Sequence, residues 1–157
     1  MSISNAKPEL LDQIESLVDK VCVLGEIDST NDEARRLIKS GFTGSSLIVA
    51  TTQNSGRGRR GRKWVSPIGG IYMSLTLPLP ESLIQPQALS LVSAISIKQS
   101  LEAYSLIPIN LKWPNDLLVG GKKLAGILLE LETSEPTDYI VFGIGINYSL
   151  TNAQKES

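Results

Sequence analysis

The chain has 157 residues, of which 41% are hydrophobic and 20% charged, and its formal net charge is −1. This length suits one domain with a substantial core, and the near-zero charge argues against a general binder of nucleic acids or membrane surfaces. Histidine is absent and Cys22 is the single cysteine, which excludes an internal disulfide, His-dependent triads and Cys-cluster or His-ligated metal sites. Any chemistry must therefore use Lys, Arg, Asp, Glu and backbone groups, a set that suits phosphate chemistry.

No run of 18 apolar residues occurs, so the sequence predicts no transmembrane helix. Residues 1–9 lack the basic start and apolar core of a signal peptide. We therefore expect a cytoplasmic protein with no membrane partner and no metal site.

Apolar periodicity predicts the secondary structure along the chain. In order, we expect a helix over 8–19, a strand over 21–27, a helix over 31–39, a strand over 46–52, a long loop over 53–70, a strand over 71–77, a helix over 86–105, and strands over 107–113, 116–119, 122–131 and 139–147. This pattern predicts one α+β domain with antiparallel strand pairs covered by helices.

Two helices carry more detailed expectations. Any of residues 28–30 could cap the second helix, and Glu33 fits a capping box that starts at Thr30, while Gly41 ends this helix. The helix over 86–105 is expected to direct the following side chains toward a core: Leu89, Val92, Ile95, Ile97 and Leu101.

Residues 56–64 form a segment rich in Gly and Arg, which we call the Gly-Arg loop. Five of the eight residues 56–63 are basic, so the segment repels itself unless an anion is present and is a candidate for a loop ordered by phosphate. The pattern G-x-G-x-x-G matches, but no helix is predicted after it, and no Walker A sequence follows. An RNA-binding tract, with Trp64 stacking on a base, and a plain solvated loop remain open.

Residues 112–116 read Lys-Trp-Pro-Asn-Asp. The proline ends a strand and fixes a turn that presents the asparagine and the aspartate. The pair Gly120-Gly121 between two apolar runs predicts a type I′ hairpin turn, which needs positive φ twice. Gly126 lies inside the second strand, where glycine costs stability unless a ligand or backbone comes close. A plain edge hairpin is the alternative.

Residues 143–147 read Gly-Ile-Gly-Ile-Asn, so in a strand Gly143, Gly145 and Asn147 share one face. That face has room for a ligand and ends in an amide that could bind an adenine edge. Close packing of a helix against the strand is the alternative.

Together these segments resemble the biotin protein ligase family. The matching segments, in family order and spacing, are Ser29-Thr30-Asn31, Gln53, the Gly-Arg loop, residues 112–116, residues 123–128 and residues 143–147. The resemblance implies a biotin/lipoate ligase-like fold, similar to class II synthetases, with a mixed and largely antiparallel sheet.

The resemblance also implies roles for individual residues. Biotin-binding roles fall on Ser29, Thr30, Asn31, Gln53, Arg57, Gly58, Arg59 and Lys123. Nucleotide-binding roles fall on Arg59, Arg60, Trp64, Asn115 and Asn147. Catalytic roles fall on Lys123, Arg59 and Asp116.

The implied reaction activates biotin with ATP and Mg²⁺ to biotinyl-5'-AMP and transfers it to a lysine of a biotin carboxyl carrier protein domain. Lys123 and the loop arginines would stabilise phosphate charge, and Asp116 would assist the acceptor lysine. No nucleic-acid partner is then expected, and the sequence is compatible with a homodimer.

The sequence differs from the family in extent. Family members continue past the Gly-x-Gly-x-Asn strand into further helices and a small β-barrel, so residues 1–157 are expected to be a single partial catalytic domain. Neither an N-terminal helix-turn-helix domain nor the C-terminal β-barrel is expected. The alternatives are a non-catalytic biotin-binding fragment, a lipoate-type ligase and, more remotely, an RNA-binding module that uses the Gly-Arg loop.

Overall fold

A computed structural model of the chain describes residues 8–79 and 88–149. The elements within these residues are α1 (Pro8–Glu15), β1 (Lys20–Ile27), α2 (Thr30–Lys39), β2 (Ser46–Gln53), β3 (Ile71–Pro78), α3 (Ala88–Glu102), β4 (Asn110–Lys112), β5 (Asp116–Val119), β6 (Lys122–Glu132) and β7 (Tyr139–Ile146). No described helix is long and apolar enough to cross a membrane.

The strands form one seven-stranded sheet in the order β1-β2-β3-β7-β6-β5-β4. Strands β1 and β2 pair in parallel through the crossover helix α2, and the other neighbours pair antiparallel. The expected mixed, largely antiparallel α+β sheet is therefore confirmed. Among the described strands, β1 and β4 lie at the edges, and the other five have a partner on both sides.

The two faces of the sheet carry different elements, as the alternation of side chains along β7 shows. Val141 packs with Ala34 and Ile38 of α2 in one apolar cluster. Ile146 points to the opposite face and packs with Ala94 of α3 in a second cluster. Gly143 and Gly145 share the face of Val141, so the glycine face of β7 lies on the α2 side.

The hairpin turn between β5 and β6 is confirmed, with φ of 57° at Gly120 and 78° at Gly121. The predicted strand over 107–113 is shorter than expected: only Asn110–Lys112 pairs with β5. Pro108 lacks the N–H that a ladder requires, which is consistent with the late start of this edge strand.

The predicted capping box of α2 is wrong. The helix begins at Thr30 with Ser29 as its N-cap residue, and no side chain caps it. The Thr30 hydroxyl instead bonds to Gln53 across the sheet, and the Glu33 carboxylate accepts from Arg36 at 2.7 Å. Tertiary and ion-pair partners thus outcompete the local cap.

The predicted core face of α3 is partly wrong. Ala94 is fully buried, and Ile97 and Leu101 pack against the same core, but Val92 and Ile95 are 54% and 40% exposed. At 100° per residue, Val92 lies almost opposite Ala94, so it cannot share that face. Residues 86 and 87 of the predicted helix lie outside the described residues. The first helix is shorter than predicted too, since it ends at Glu15.

Candidate functional site

A cavity of about 420 Å³ opens on the glycine face of β6 and β7. Most of the predicted site residues line it, although they are spread over more than 110 positions of the chain. The lining residues are Ser29, Thr30, Asn31, Gln53, Arg57, Gly58, Arg59, Arg60, Arg62, Lys63, Trp64, Lys112, Trp113, Pro114, Asn115, Asp116, Lys123, Gly126, Ile127, Leu128, Gly143, Ile144 and Gly145.

One corner of the cavity is a polar junction between α2 and the end of β2. The Gln53 Oε1 atom accepts from the Thr30 backbone N–H at 2.8 Å and from the Thr30 hydroxyl at 3.1 Å. The Gln53 amide donates from Nε2 to the Ser66 hydroxyl at 2.8 Å. These bonds fix which end of the Gln53 amide faces which neighbour, so the corner presents defined donors and acceptors.

Asn31 forms the second polar element of this corner. Its Oδ1 lies 2.5 Å from the buried Ser74 hydroxyl, and its Nδ2 donates to Glu130 Oε2 at 2.6 Å. A Cβ at Gly143 would stand 2.4 Å from Asn31 Oδ1. The glycine is therefore required by the close approach of α2, as the helix-packing interpretation expects. Gly143 and Gly145 also line the cavity, and room for a ligand on this strand stays a prediction.

The Gly-Arg loop folds as a narrow hairpin over the cavity. The Trp64 backbone N–H donates to the Gly56 carbonyl at 2.8 Å, and the Gly58 N–H donates to the Arg62 carbonyl at 2.7 Å. A short 3-10 turn, Arg59–Gly61, forms the tip, where Arg60 adopts a φ of 57°. The tip reaches the other wall through Arg59 Nη1, which donates to Asn115 Oδ1 at 3.1 Å.

Arg57 is held on acidic groups at the base of this loop. Its Nη1 donates to Asp32 Oδ2 in a short hydrogen bond, and its Nη2 lies 3.5 Å from Glu130 Oε2. The hydrogen bond to Asp32 is the main cause of a raised Arg57 pKa. Arg57 lines the cavity as predicted, but its charge is already compensated by protein carboxylates.

Trp64 forms the floor of the cavity together with two glycines. A Cβ at Gly126 would stand 2.9 Å from Trp64 Cζ3, and one at Gly145 would stand 2.5 Å from Cε2. The indole thus lies directly on the backbone of β6 and β7, and the Lys123 Nζ atom lies 5.1 Å from the ring centroid, within cation–π range.

Lys123 and Asp116 form an ion pair across the β5–β6 hairpin, with Nζ 2.8 Å from Oδ1. The Lys123 side chain is 40% exposed and the Asp116 side chain 23% exposed, so both groups are accessible from the cavity. The structure therefore brings two of the three predicted catalytic residues into contact, a cation suited to an anionic ligand beside a potential proton acceptor.

The two predicted nucleotide-side asparagines differ in position. Asn115 lines the cavity, and its Nδ2 donates to the Ile127 carbonyl at 2.7 Å. Asn147 is not among the lining residues. Its Nδ2 donates to the Lys123 carbonyl at 3.1 Å, so it supports the start of β6, and a direct contact with a nucleotide stays a prediction.

Several polar residues that hold the site residues in place were not predicted, among them Asp32, Ser74 and Glu130. Glu130 could have been found, because it shares the β6 face of Gly126 by strand alternation. Asp32 and Ser74 carry no comparable signal, since their roles depend on how α2 crosses the sheet. Among the described residues, no group of three or more His, Cys, Asp or Glu could hold a metal ion.

Comparison with known proteins identifies the family of this chain. The family model for biotin/lipoate A/B protein ligases matches residues 24–147. The chain belongs to this family. Every predicted site residue falls inside the matched range.

Relatives in this ligase family include the bifunctional ligase/repressor BirA of Bacillus spizizenii, 41% identical over 123 residues, which are 77% of this chain and 38% of the relative. The biotin–[acetyl-CoA-carboxylase] ligase of Paracoccus denitrificans is 40% identical over 128 residues, 80% of this chain and 53% of the relative. The chain thus spans about two fifths to a half of these curated relatives.

Solved ligase structures share the fold. The biotin protein ligase of Aquifex aeolicus in complex with biotin and ATP superposes with a TM-score of 0.71 at 38% identity. The match covers 85% of this chain and 54% of that chain. The predicted ligase-like fold class is therefore confirmed.

Proposed function

We propose that this chain carries the biotin-activating site of a biotin protein ligase, which converts biotin and ATP into biotinyl-5'-AMP and pyrophosphate. Transfer of the biotinyl group to a lysine of a biotin carboxyl carrier protein would follow. The proposal places the reaction in the cytoplasm, where ATP is available.

The observation that carries the proposal is the set of residues that line this cavity. One end holds the neutral polar corner of Ser29, Thr30, Asn31 and Gln53, and the other holds Arg59 and Lys123, with an apolar floor between them. Its volume of about 420 Å³ lies within the range typical of small-ligand sites. A ligand with a neutral polar head, an apolar chain and an anionic end matches this arrangement.

Biotin has that distribution of groups. Its ureido ring donates two N–H groups and offers one carbonyl, which matches a corner that contains hydroxyls and amides. Its hydrocarbon chain would run over the Trp64 indole and the glycines of β6 and β7. Its carboxylate would then lie toward Lys123 and Arg59. The Aquifex aeolicus relative was solved in complex with biotin and ATP, which supports biotin as the ligand.

In the first step, a biotin carboxylate oxygen attacks the α-phosphorus of ATP, which enters as its magnesium complex. A bond forms between the carboxylate oxygen and the α-phosphorus, the bond from the α-phosphorus to the oxygen that bridges to the β-phosphorus breaks, and pyrophosphate leaves. Lys123 and Arg59 stabilise the negative charge that grows on the phosphate oxygens and bring two anions together.

In the second step, the neutral amine of an acceptor lysine attacks the acyl carbon, an amide forms and AMP leaves. The acceptor ammonium loses one proton to become this neutral amine, and its nitrogen loses a second proton as the amide forms. The Asp116 carboxylate beside Lys123 would accept a proton from this nitrogen. The Gly-Arg loop above the cavity would keep water from the reactive anhydride.

The experiment that tests the proposal is pyrophosphate release by the purified chain with ATP, magnesium and either biotin or lipoate. We expect release that depends on biotin and is abolished in Lys123→Ala. Release with lipoate alone would assign a lipoate-type ligase. If the folded protein neither releases pyrophosphate nor binds biotin in calorimetry, the proposal is overturned.

A further inference from the structure

Asp32 and Glu130 attach the Gly-Arg loop to the body of the domain. Asp32 lies in the first turn of α2 and Glu130 on β6, and both contact the Arg57 guanidinium. The contacts lie at the base of the loop, next to the Trp64–Gly56 backbone hydrogen bond. The loop base is therefore fixed on one side by ion pairs and on the other by the seated Trp64 indole.

The two carboxylates are themselves held in place from behind. Arg35 lies 3.5 Å from Asp32 Oδ1 and 3.0 Å from Glu130 Oε1. Asn31 donates to Glu130 Oε2 at 2.6 Å. The acidic side chains of this network are 21% and 25% exposed, so solvent screens them less than an ordinary surface pair. Charges alternate through the network, so neither carboxylate can swing away without losing a second partner.

The tip of the loop has no such support among the contacts described. Arg60, Arg62 and Lys63 are exposed, and Arg59 makes one side-chain hydrogen bond, to Asn115. The loop thus has a fixed base and a cationic tip that is free to contact an anion.

We infer that Asp32 and Glu130 are positioning residues, which hold Arg57 so that the loop base stays closed and bound ligand leaves slowly. Glu130 also links this function to the polar corner, since the same carboxylate orients Asn31. The inference rests on the proposed function only for its ligand, because the attachment of the loop can be measured without one.

The first measurement is the rate of tryptic cleavage after Arg57, the residue that Asp32 and Glu130 hold at the loop base, in the folded chain, with the products identified by mass spectrometry. Breaking a charge-assisted hydrogen bond to Arg57 in Asp32→Asn should accelerate cleavage by roughly tenfold. Glu130→Gln should do the same, and Asp32→Glu should restore most of the protection. The matched control is Glu102→Gln, since Glu102 pairs with Lys98 on α3, which packs on the opposite face of the sheet. If the cleavage rate of Asp32→Asn lies within twofold of the rate of the unaltered chain, the inference is overturned.

The second measurement is the kinetics of biotin binding by stopped flow. Loop opening controls escape, so the dissociation rate constant should rise roughly tenfold in Asp32→Asn while association changes less than twofold. A purely structural defect would lower the fraction of competent protein and leave the dissociation rate unchanged, which would count against a positioning role. If neither the unaltered chain nor its variants bind biotin, the proposed function fails. The cleavage rates then still decide whether Asp32 and Glu130 hold the loop.

A variant that unfolds does not end the test. Salt weakens partly exposed ion pairs, so 1 M NaCl should accelerate cleavage of the loop in the unaltered chain. Salt-independent cleavage of the loop would refute the attachment without any substitution.

Discussion

Replacing Gly145 with alanine should displace the Trp64 indole from the cavity floor. The added Cβ would stand 2.5 Å from Cε2 and 2.6 Å from both Cζ2 and Nε1 of the indole, whereas ordinary contacts begin near 3.5 Å. A shift of about 1 Å is therefore needed. Strand β7 is hydrogen-bonded on both edges, to β3 and β6, so the indole must move instead of the backbone.

Two terms set the size of the effect on stability. Overpacking of this kind costs about 1–3 kcal/mol when the side chain stays in place. Expulsion relieves the strain but loses the cation–π contact with Lys123, worth about 0.5–1 kcal/mol at an accessible site. The buried Trp64 Nε1 has no hydrogen-bond partner in the described structure, so its exposure to water offsets part of that loss. We expect a net destabilisation of about 1–2 kcal/mol.

The assay combines denaturant unfolding with tryptophan emission in a Trp113→Phe background, which leaves Trp64 as the only indole. Gly145→Ala should red-shift the emission and lower the denaturation midpoint. The matched control is Gly25→Ala, where nothing lies within 4 Å of the added Cβ. Unchanged emission together with stability within about 0.5 kcal/mol of the control would refute the reasoning, because that is the range of ordinary surface substitutions.

Three further predictions concern the polar corner, the cation and a buried phenol. Gly143→Ala should push Asn31 from its position and weaken biotin binding at least tenfold in calorimetry, and unaltered affinity would contradict the assigned corner. Lys123→Ala should lower pyrophosphate release by more than 100-fold while biotin affinity falls less than tenfold, since it removes charge stabilisation more than shape; equal losses would reassign Lys123 to binding alone. Burial raises the Tyr72 pKa from 10.0 to about 12, so the fold favours the protonated phenol, and this stability is present below pH 10 and lost as the pH rises from about 10 to about 12. Unfolding at pH 9 and pH 11 should show a smaller decline in Tyr72→Phe than in the unaltered chain, and an equal decline would argue against this linkage.

The elements of the sheet could be predicted because each carries a local signal. The Gly120-Gly121 turn requires positive φ, and the alternation of β3 and β7 matches a two-faced strand. The core face of α3 could not be predicted, because the helix carries apolar residues on all sides. Its packing against the sheet alone determines that Ala94 is buried. The capping box of α2 was predicted wrongly because a distant contact replaces a local one. Its candidate residue Thr30 bonds to Gln53, 23 positions away.

Much of the site could be predicted by resemblance, and less by residue chemistry. The Gly-Arg loop and Lys123 carry charge in a recognisable arrangement, so their presence beside a cavity was expected. The attachment of Arg57 to Asp32 and Glu130 was not, because it joins three separate elements. Such contacts depend on how the strands and helices are arranged in space, which hydrophobic patterns and secondary-structure propensities do not determine.

The floor of the cavity and the loop above it should exchange their amide hydrogens on very different timescales. The floor includes Gly126 of β6 and Gly145 of β7, strands whose amides we expect to open only with the whole sheet, whereas the tip of the loop should open by itself. Ligand binding should therefore slow exchange at residues 58–62 while leaving that of β7 limited by global unfolding. Amide exchange measured with and without ligand would therefore report separately on the loop tip and on the strands beneath it.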